Sequence, residues 1–389
     1  MSANGIRGKA AVVGVAIAGC GEAAGYTEME ILAQAAHAAL AEAGLRTTDV
    51  DAVYTASVSA TMWTNNVCEY LGIHPAIVDG TTVGGSSFVG HLLNAALAIA
   101  AGVSKVALIC YGSTQRTGLS RGDLRKMRLA MDPYLCETPY APLNPPSSYA
   151  MAAARHMHDY GTTREQLAEV AVAARSWAQR NPEAFMRDPL TIAEVLASRM
   201  VSDPLTVRDC CLVTDGAGAV VLTSADFART LPQKPVYLLG AGMGISHRQI
   251  SSAASLTHTA AIESGKRAYA MAGVAPKDVD VLALYDAFTI NTILFLEDLG
   301  FCPKGEGGRF VEGGRIGFGG ELAVNTNGGG LSCVHPGMYG IFTIIEAARQ
   351  LRGGLGERQV KDVEIALVHG NGGVLSAQAT AIFGTQAAL

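Results

Sequence analysis

The chain has 389 residues, 49% of them hydrophobic and only 16% charged, and its formal net charge of −5 comes with scattered Lys and Arg. That composition excludes a basic nucleic-acid-binding stripe and an intrinsically disordered chain, and the length suits about two or three domains with sizeable cores. The 45 glycines point to small-residue helices packed tightly on sheets.

The N-terminal "GIRGKAAVVGVAIAGCG" has a faint signal-peptide character, but Val12, Val13, Val15 and Ile17 read more simply as a first buried strand. Periodicity then predicts strand 10–18, helix 28–44, strand 51–58, helix 87–101 and strand 105–111, an alternation expected of a mainly parallel sheet with helices on its faces. "GCGEAAG" (19–25) follows the first strand but spaces its glycines wrongly for a dinucleotide fingerprint, and the second strand ends without the acid that would hold a ribose.

Residues 113–208 change character and read as an inserted cap. They carry Arg116, Arg121, Arg125, Lys126 and Arg128, the Pro-rich "APLNPPSSYA", and the helical stretches "REQLAEVAVAARSWAQ" and "TIAEVLASRM". The sheet resumes at "DGAGAVVLTS" (215–224), and "RTLPQKP" (229–235) has the breaker content of a linker. Two domains are expected, 1–230 and 231–389.

Cysteines stand at positions 20, 68, 110, 136, 210, 211, 302 and 333 with no C-x-x-C spacing. Neither a zinc ribbon nor a disulfide framework is suggested, and a reducing, cytoplasmic setting fits. No run reaches the roughly 18 apolar residues needed to cross a membrane.

After the linker the first half comes back. "AGLRTTDVDAVY" (43–54) is echoed by "AGVAPKDVDVLA" (272–283) at a constant offset of 229, and "KVALICYG" (105–112) by "EIALVHGNGG" (364–373). Two echoes in the same order predict a duplicated α/β unit.

Four segments resemble the thiolase superfamily, particularly its sterol-carrier-protein-type members. "TTVGGSSFVGHLLNAALAIAAG" (81–102) is similar to the family's C-S-S-G turn and small-residue helix, and counting back from Gly102 puts Gly85 where the nucleophilic cysteine would stand. "DGAGAVVLTS" resembles S-D-G-A-A-A-V-V-L. "YDAF" (285–288) falls at N-E-A-F or H-D-x-F, and "NTNGGGLSCVHPGMYG" (325–340) resembles the N-x-N-G-G…G-H-P segment, keeping the spacing of ten positions from Asn325 to His335. The final C-x-G-G-G stands as "HGNGG" (369–373), so the second family cysteine is missing too.

The resemblance implies a duplicated five-layered α/β fold, a homodimer, and acyl-CoA thioesters as substrates with no covalently bound cofactor and no metal. It assigns His335 to stabilising the enolate oxygen, a role in which one preorganised donor is worth about 3–4 kcal/mol. Tyr285, Tyr339 and His369 are candidate acids or bases, and Gly85, Ser86, Ser87, Asn325, Asn327 and Gly372 are expected to line the substrate. Ser86 and Ser87 are nucleophiles by composition only, since an activated serine needs a histidine in reach; N-capping is the plainer role.

Gly85 cannot hold an acyl group covalently as a transferring thiolase must, whereas aldol or retro-aldol chemistry beside a thioester needs only a base and a stabilised enolate. The chain resembles in this the cysteine-less thiolase-like aldolases, which work with a small OB-fold partner carrying a zinc ribbon. An acetyl-CoA acetyltransferase using another nucleophile or another subunit, and a noncatalytic acyl-CoA- or lipid-binding subunit, are the alternatives.

Overall fold

A computed structural model describes residues 5–58, 60–118 and 137–389. Arg121, Arg125, Lys126 and Arg128 of the expected cap lie outside the described residues. The first half runs β1 (Ala10–Gly21), α1 (Glu28–Glu42), β2 (Ala52–Thr55), α2 (Trp63–Leu71), β3 (Ile77–Asp79), α3 (Ser87–Ala100) and β4 (Val106–Ser113). The insertion contributes α4 (Pro146–Tyr160), α5 (Arg164–Ala178), β5 (Met200–Ser202) and β6 (Leu205–Thr206), and the half closes with β7 (Asp215–Ser224). The second half runs β8 (Val236–Ile245), α6 (Ala261–Ala272), β9 (Val281–Leu284), α7 (Thr289–Asp298), β10 (Ala323–Val324), α8 (Gly340–Arg352), β11 (Ile365–Gly372) and β12 (Ala377–Gly384).

The ten main strands lie in the order β10-β9-β11-β12-β8-β1-β7-β4-β2-β3. Read from its own first strand outward, each half has the same arrangement, and the halves meet where β1 pairs antiparallel with β8 at Ala11↔Tyr237 and Val12↔Val236. The expectation of a mainly parallel sheet is corrected. β2 and β9 pair parallel with their neighbours, but β1, β7, β8 and β12 pair antiparallel throughout. The physical reason lies in the connections: the long insertion returns the chain into β7 in the opposite sense, and a short turn after Gly372 folds β12 back on β11. Hydrophobic periodicity carries no information on strand direction.

Duplication explains the echo atom by atom. Asp49 accepts the Arg46 N–H at 2.8 Å and Asp278 the Ala275 N–H at 2.8 Å, so each folds the turn into the next strand. Asp51 accepts N–H from Lys105 at 2.8 Å and Val106 at 3.1 Å, and Asp280 accepts from Glu364 and Ile365, both at 2.9 Å; each ties that strand to the start of β4 or β11. Both acids of the repeated Asp-Val-Asp therefore do the same work in each half. A Cβ on Gly14 would collide with the Ala39 carbonyl of α1, and one on Gly240 with the Ala268 carbonyl of α6, so the outer helices lie directly on the strands.

Helix α1 covers β1, β4 and β7 on one outer face, and α6 covers β8 and β12 on the other. Between the two halves of the sheet, α3 and α8 touch strands of both, which completes five layers. Phe88, Val89, Leu92, Ala95, Ala96 and Ile99 of α3 are all buried. That follows from a helix apolar nearly all round. No described helix is long and apolar enough to cross a membrane.

Candidate active site

The site forms where the N-termini of the two central helices meet the C-terminal ends of β9 and β11. β9 delivers Tyr285 and Asp286 just past its end. Their position is fixed by Asn325, which adopts a left-handed conformation (φ 53°) after β10 and accepts the Leu284 N–H on Oδ1 at 2.6 Å. Asparagine is among the few residues that tolerate this region. The turn 326–333 then folds around Asn327 and Asp286: Asn327 Oδ1 accepts the Gly329 N–H at 2.8 Å, and Asp286 accepts N–H from Gly330 at 2.6 Å and Leu331 at 3.4 Å. His335 follows, its N–H donated to Thr214 Oγ1 at 2.9 Å, and Tyr111 OH donates to the Pro336 carbonyl at 2.5 Å.

Three rings converge. Tyr285 OH lies 3.1 Å from His335 Nε2 and accepts the Tyr339 N–H at 3.1 Å, while Tyr339 OH donates to Asn327 Oδ1 at 3.1 Å. Tyr285 stands edge-on to both His335 and Tyr339, each with ring centroids 5.5 Å apart. All three side chains are buried. Burial pushes the His335 imidazole down to about 4, so it is neutral near pH 7, and it raises both phenols well above their ordinary value, so each is a protonated hydroxyl.

Gly85 sits against this cluster. A Cβ built on it would stand 2.7 Å from both Cζ and OH of Tyr285 and collide with Cε2 of the same ring. The room a side chain at position 85 would need is filled by Tyr285. Position 85, two residues before α3, is glycine because a tyrosine contributed by the other half occupies the place of its side chain.

The remaining expected site residues fall into two groups. Ser86 Oγ donates to the Val83 carbonyl at 3.1 Å and Ser87 Oγ to the Gly84 carbonyl at 2.6 Å; neither caps α3 with its side chain, so the capping expectation is corrected, and both serve to fold the turn. A Cβ on Gly372 would strike the Val83 carbonyl, so Gly372 is a point of backbone contact with that turn. Asn325 holds β9 and Asn327 holds Tyr339.

His369 does not join the cluster. It alternates with Gly370 and Gly372, which face the 83–86 turn, so its ring projects from the other face of β11. There Nδ1 lies 2.9 Å from Thr380 Oγ1 and Nε2 3.0 Å from Gln378 Oε1, with Phe295 edge-on at 4.4 Å. Burial pushes it down to about 3, a neutral ring. Among the described residues no group of three or more His, Cys, Asp or Glu is placed to hold a metal, and the described cysteines are all free thiols.

Asp286 was not singled out by the sequence, although it stands inside the quoted "YDAF". Fully buried, it has its carboxyl pushed up to about 7, with the N–H groups of Gly330 and Leu331 opposing the shift only in part. An acid with a raised folded-state value binds more protons folded than unfolded between its unfolded value of about 3.9 and about 7. Stability is therefore expected to fall as pH rises through that window, by about 1.4 kcal/mol for each unit of displacement. Urea unfolding across pH 4–8 measures it, and Asp286→Asn should flatten the slope. A slope that survives the substitution would place the titrating group elsewhere.

The chain is similar to known proteins of one family. The description "Thiolase C-terminal domain-like" matches residues 242–385. The chain is 34% identical to an acetyl-CoA acetyltransferase of Methanothermobacter thermautotrophicus, covering 96% of this chain and 98% of the relative. It is 35% identical to the 17-hydroxy-3-oxo-4-pregnene-20-carboxyl-CoA lyase of Mycobacterium tuberculosis, covering 95% and 98%. Among solved structures, an Ltp2-ChsH2(DUF35) aldolase superposes with a TM-score of 0.86 at 32% identity, covering 98% of each chain. The chain belongs to the thiolase family, and it is an enzyme.

Proposed function

We propose that this enzyme cleaves, or in reverse forms, the bond between the α and β carbons of a β-hydroxyacyl-CoA without a covalent acyl-enzyme. One observation carries the reading: the Tyr285 hydroxyl, paired with His335, stands where a thiol-bearing side chain at position 85 would have to be. In the cleavage direction the substrate β-hydroxyl proton passes to the Tyr285 oxygen as the phenolic proton passes to His335 Nε2. The β C–O becomes a carbonyl, the Cα–Cβ electron pair moves into the thioester as an enolate, and the ketone or aldehyde departs. Tyr339, held by Asn327, is then the acid that returns a proton to the α-carbon, and the proton left on His335 restores the Tyr339 phenol through solvent, so both groups end as they began. A neutral histidine can accept that proton, and a protonated phenol can relay it.

Three further elements belong to the proposal. A small OB-fold partner with a zinc ribbon is supported by the superposing Ltp2-ChsH2(DUF35) aldolase, whose name carries a second, DUF35 component. A homodimer is retained from the family; the free sheet edge in the first half is β3, where Val78 is exposed. The division at residues 230 and 231 is supported by the repeated strand order, and the cytoplasm by the free thiols.

The test incubates the protein, alone and with a DUF35-type partner, with β-hydroxy- and β-ketoacyl-CoAs and identifies products by mass. A shortened acyl-CoA plus a carbonyl compound, with no mass added to the protein, is expected. A stable acyl adduct on any native serine or cysteine would restore the acetyltransferase reading, which the Methanothermobacter relative keeps open.

A further inference from the structure

Beside the turn 329–333, and separate from the three converging rings, lies a cavity of about 30 Å³ lined in part by Arg175, Arg208, Cys210, Leu212, Leu331 and Ser332. Arg175, on α5, is only 3% exposed. Its Nε donates to Ser332 Oγ at 2.9 Å and its Nη1 to the Asp188 carbonyl at 2.9 Å, while Nη2 has no partner among the described residues. Arg208 is half-buried and makes neither a hydrogen bond nor an ion pair among the described residues.

The nearby acids act on these arginines through space but pair directly with neither. Glu194 takes the Thr191 N–H and hydroxyl, both at 2.8 Å, and Asp188 is exposed and offers Arg175 its carbonyl, not its carboxylate. Two guanidinium groups thus line one small cavity, and among the described residues no carboxylate is in ion-pair contact with either. A buried cation is ordinarily paired, because the desolvation cost is otherwise unrecovered. Burial and then the Arg208 charge lower the Arg175 guanidinium below its ordinary value, and the more distant Asp188 and Glu194 carboxylates oppose the shift only in part.

We propose that this cavity binds a small oxyanion, a carboxylate or phosphate group, between Arg175 and Arg208. Space for roughly two waters suits the oxygens of such a group, and planar guanidinium forks suit its geometry. Because Ser332 shares its turn with Gly330 and Leu331, which hold Asp286, the bound anion rests against the segment leading to His335. Nothing in this depends on the reaction being a lyase.

The experiment reads binding, not turnover. Thermal unfolding of the intact protein is followed in sodium phosphate and in sodium chloride of equal ionic strength, for the wild type and for Arg208→Gln, which removes a half-buried, unpaired cation. At about 10 mM phosphate a rise of about 2 °C over chloride is expected in the wild type and none in the variant. The proposal is overturned by no phosphate-specific rise in the wild type, or by an equal rise in Arg208→Gln. Titrating coenzyme A with and without phosphate separates the two sources of the group: competition in the wild type alone places a phosphate of the thioester in the cavity, and independent binding makes it a site for the free ion.

Discussion

Tyr285→Phe is expected to lower C–C cleavage by about 10²–10⁴-fold, the range for loss of a positioned acid or base, while leaving the fold intact. The ring stays as a filler over Gly85, so packing is preserved. Only the oxygen leaves, and with it the contact to His335 Nε2 at 3.1 Å and the acceptor for the Tyr339 N–H. The His335 ring then faces a hydrocarbon edge and has no route for the substrate proton. Single-turnover rates on the thioester identified by the product screen measure this, with the thermal unfolding midpoint as the folding control. Full activity in Tyr285→Phe would end the relay mechanism. His369→Gln should leave the chemistry largely untouched, because that ring stands on the other face of β11 and is held by Thr380 and Gln378.

The contrast between Tyr285 and His369 shows what the sequence made legible. The duplication was visible because in each Asp-Val-Asp triplet the first acid folds the turn beside it and the second ties its strand to the next one in the sheet, so the same short string recurs wherever the same unit is built. His335, Tyr285, Tyr339 and Asn327 were also visible, since they ride on contiguous motifs whose spacing fixes their side of the chain. His369 was misplaced because alternation along a strand decides which residue faces the site, and the "HGNGG" string does not say which of its positions points inward. Strand direction was lost for a related reason, being set by connections and not by hydrophobic pattern. Asp286 was in view but read as part of a motif; its task, holding two N–H groups of a turn more than forty positions away, exists only in three dimensions.

Position 85 was the hardest to read, and it gives the second large prediction. From the sequence, Gly85 is a helix mount lacking its thiol, and Gly85→Cys would be expected to install a reactive one at a positive helix end. In the structure the new Cβ and the Tyr285 ring claim the same volume, so a Cys there must displace the ring or shift α3. The single variant is therefore expected to lose cleavage to about the level of Tyr285→Phe, to unfold at lower temperature, and to alkylate slowly, because the space its sulfur needs is taken. Pairing it with Tyr285→Asn removes the competing ring and supplies the residue that the thiolase motif carries at that point. The double variant should recover thermal stability, react readily with iodoacetamide at residue 85, and carry an acyl mass after exposure to acyl-CoA, with no return of C–C cleavage. Each outcome follows from one steric fact, that the two halves offer room for either a side chain at 85 or a tyrosine at 285. Fast alkylation and full cleavage activity in Gly85→Cys alone would show that both fit, and the physical reason for the glycine would have to be found elsewhere.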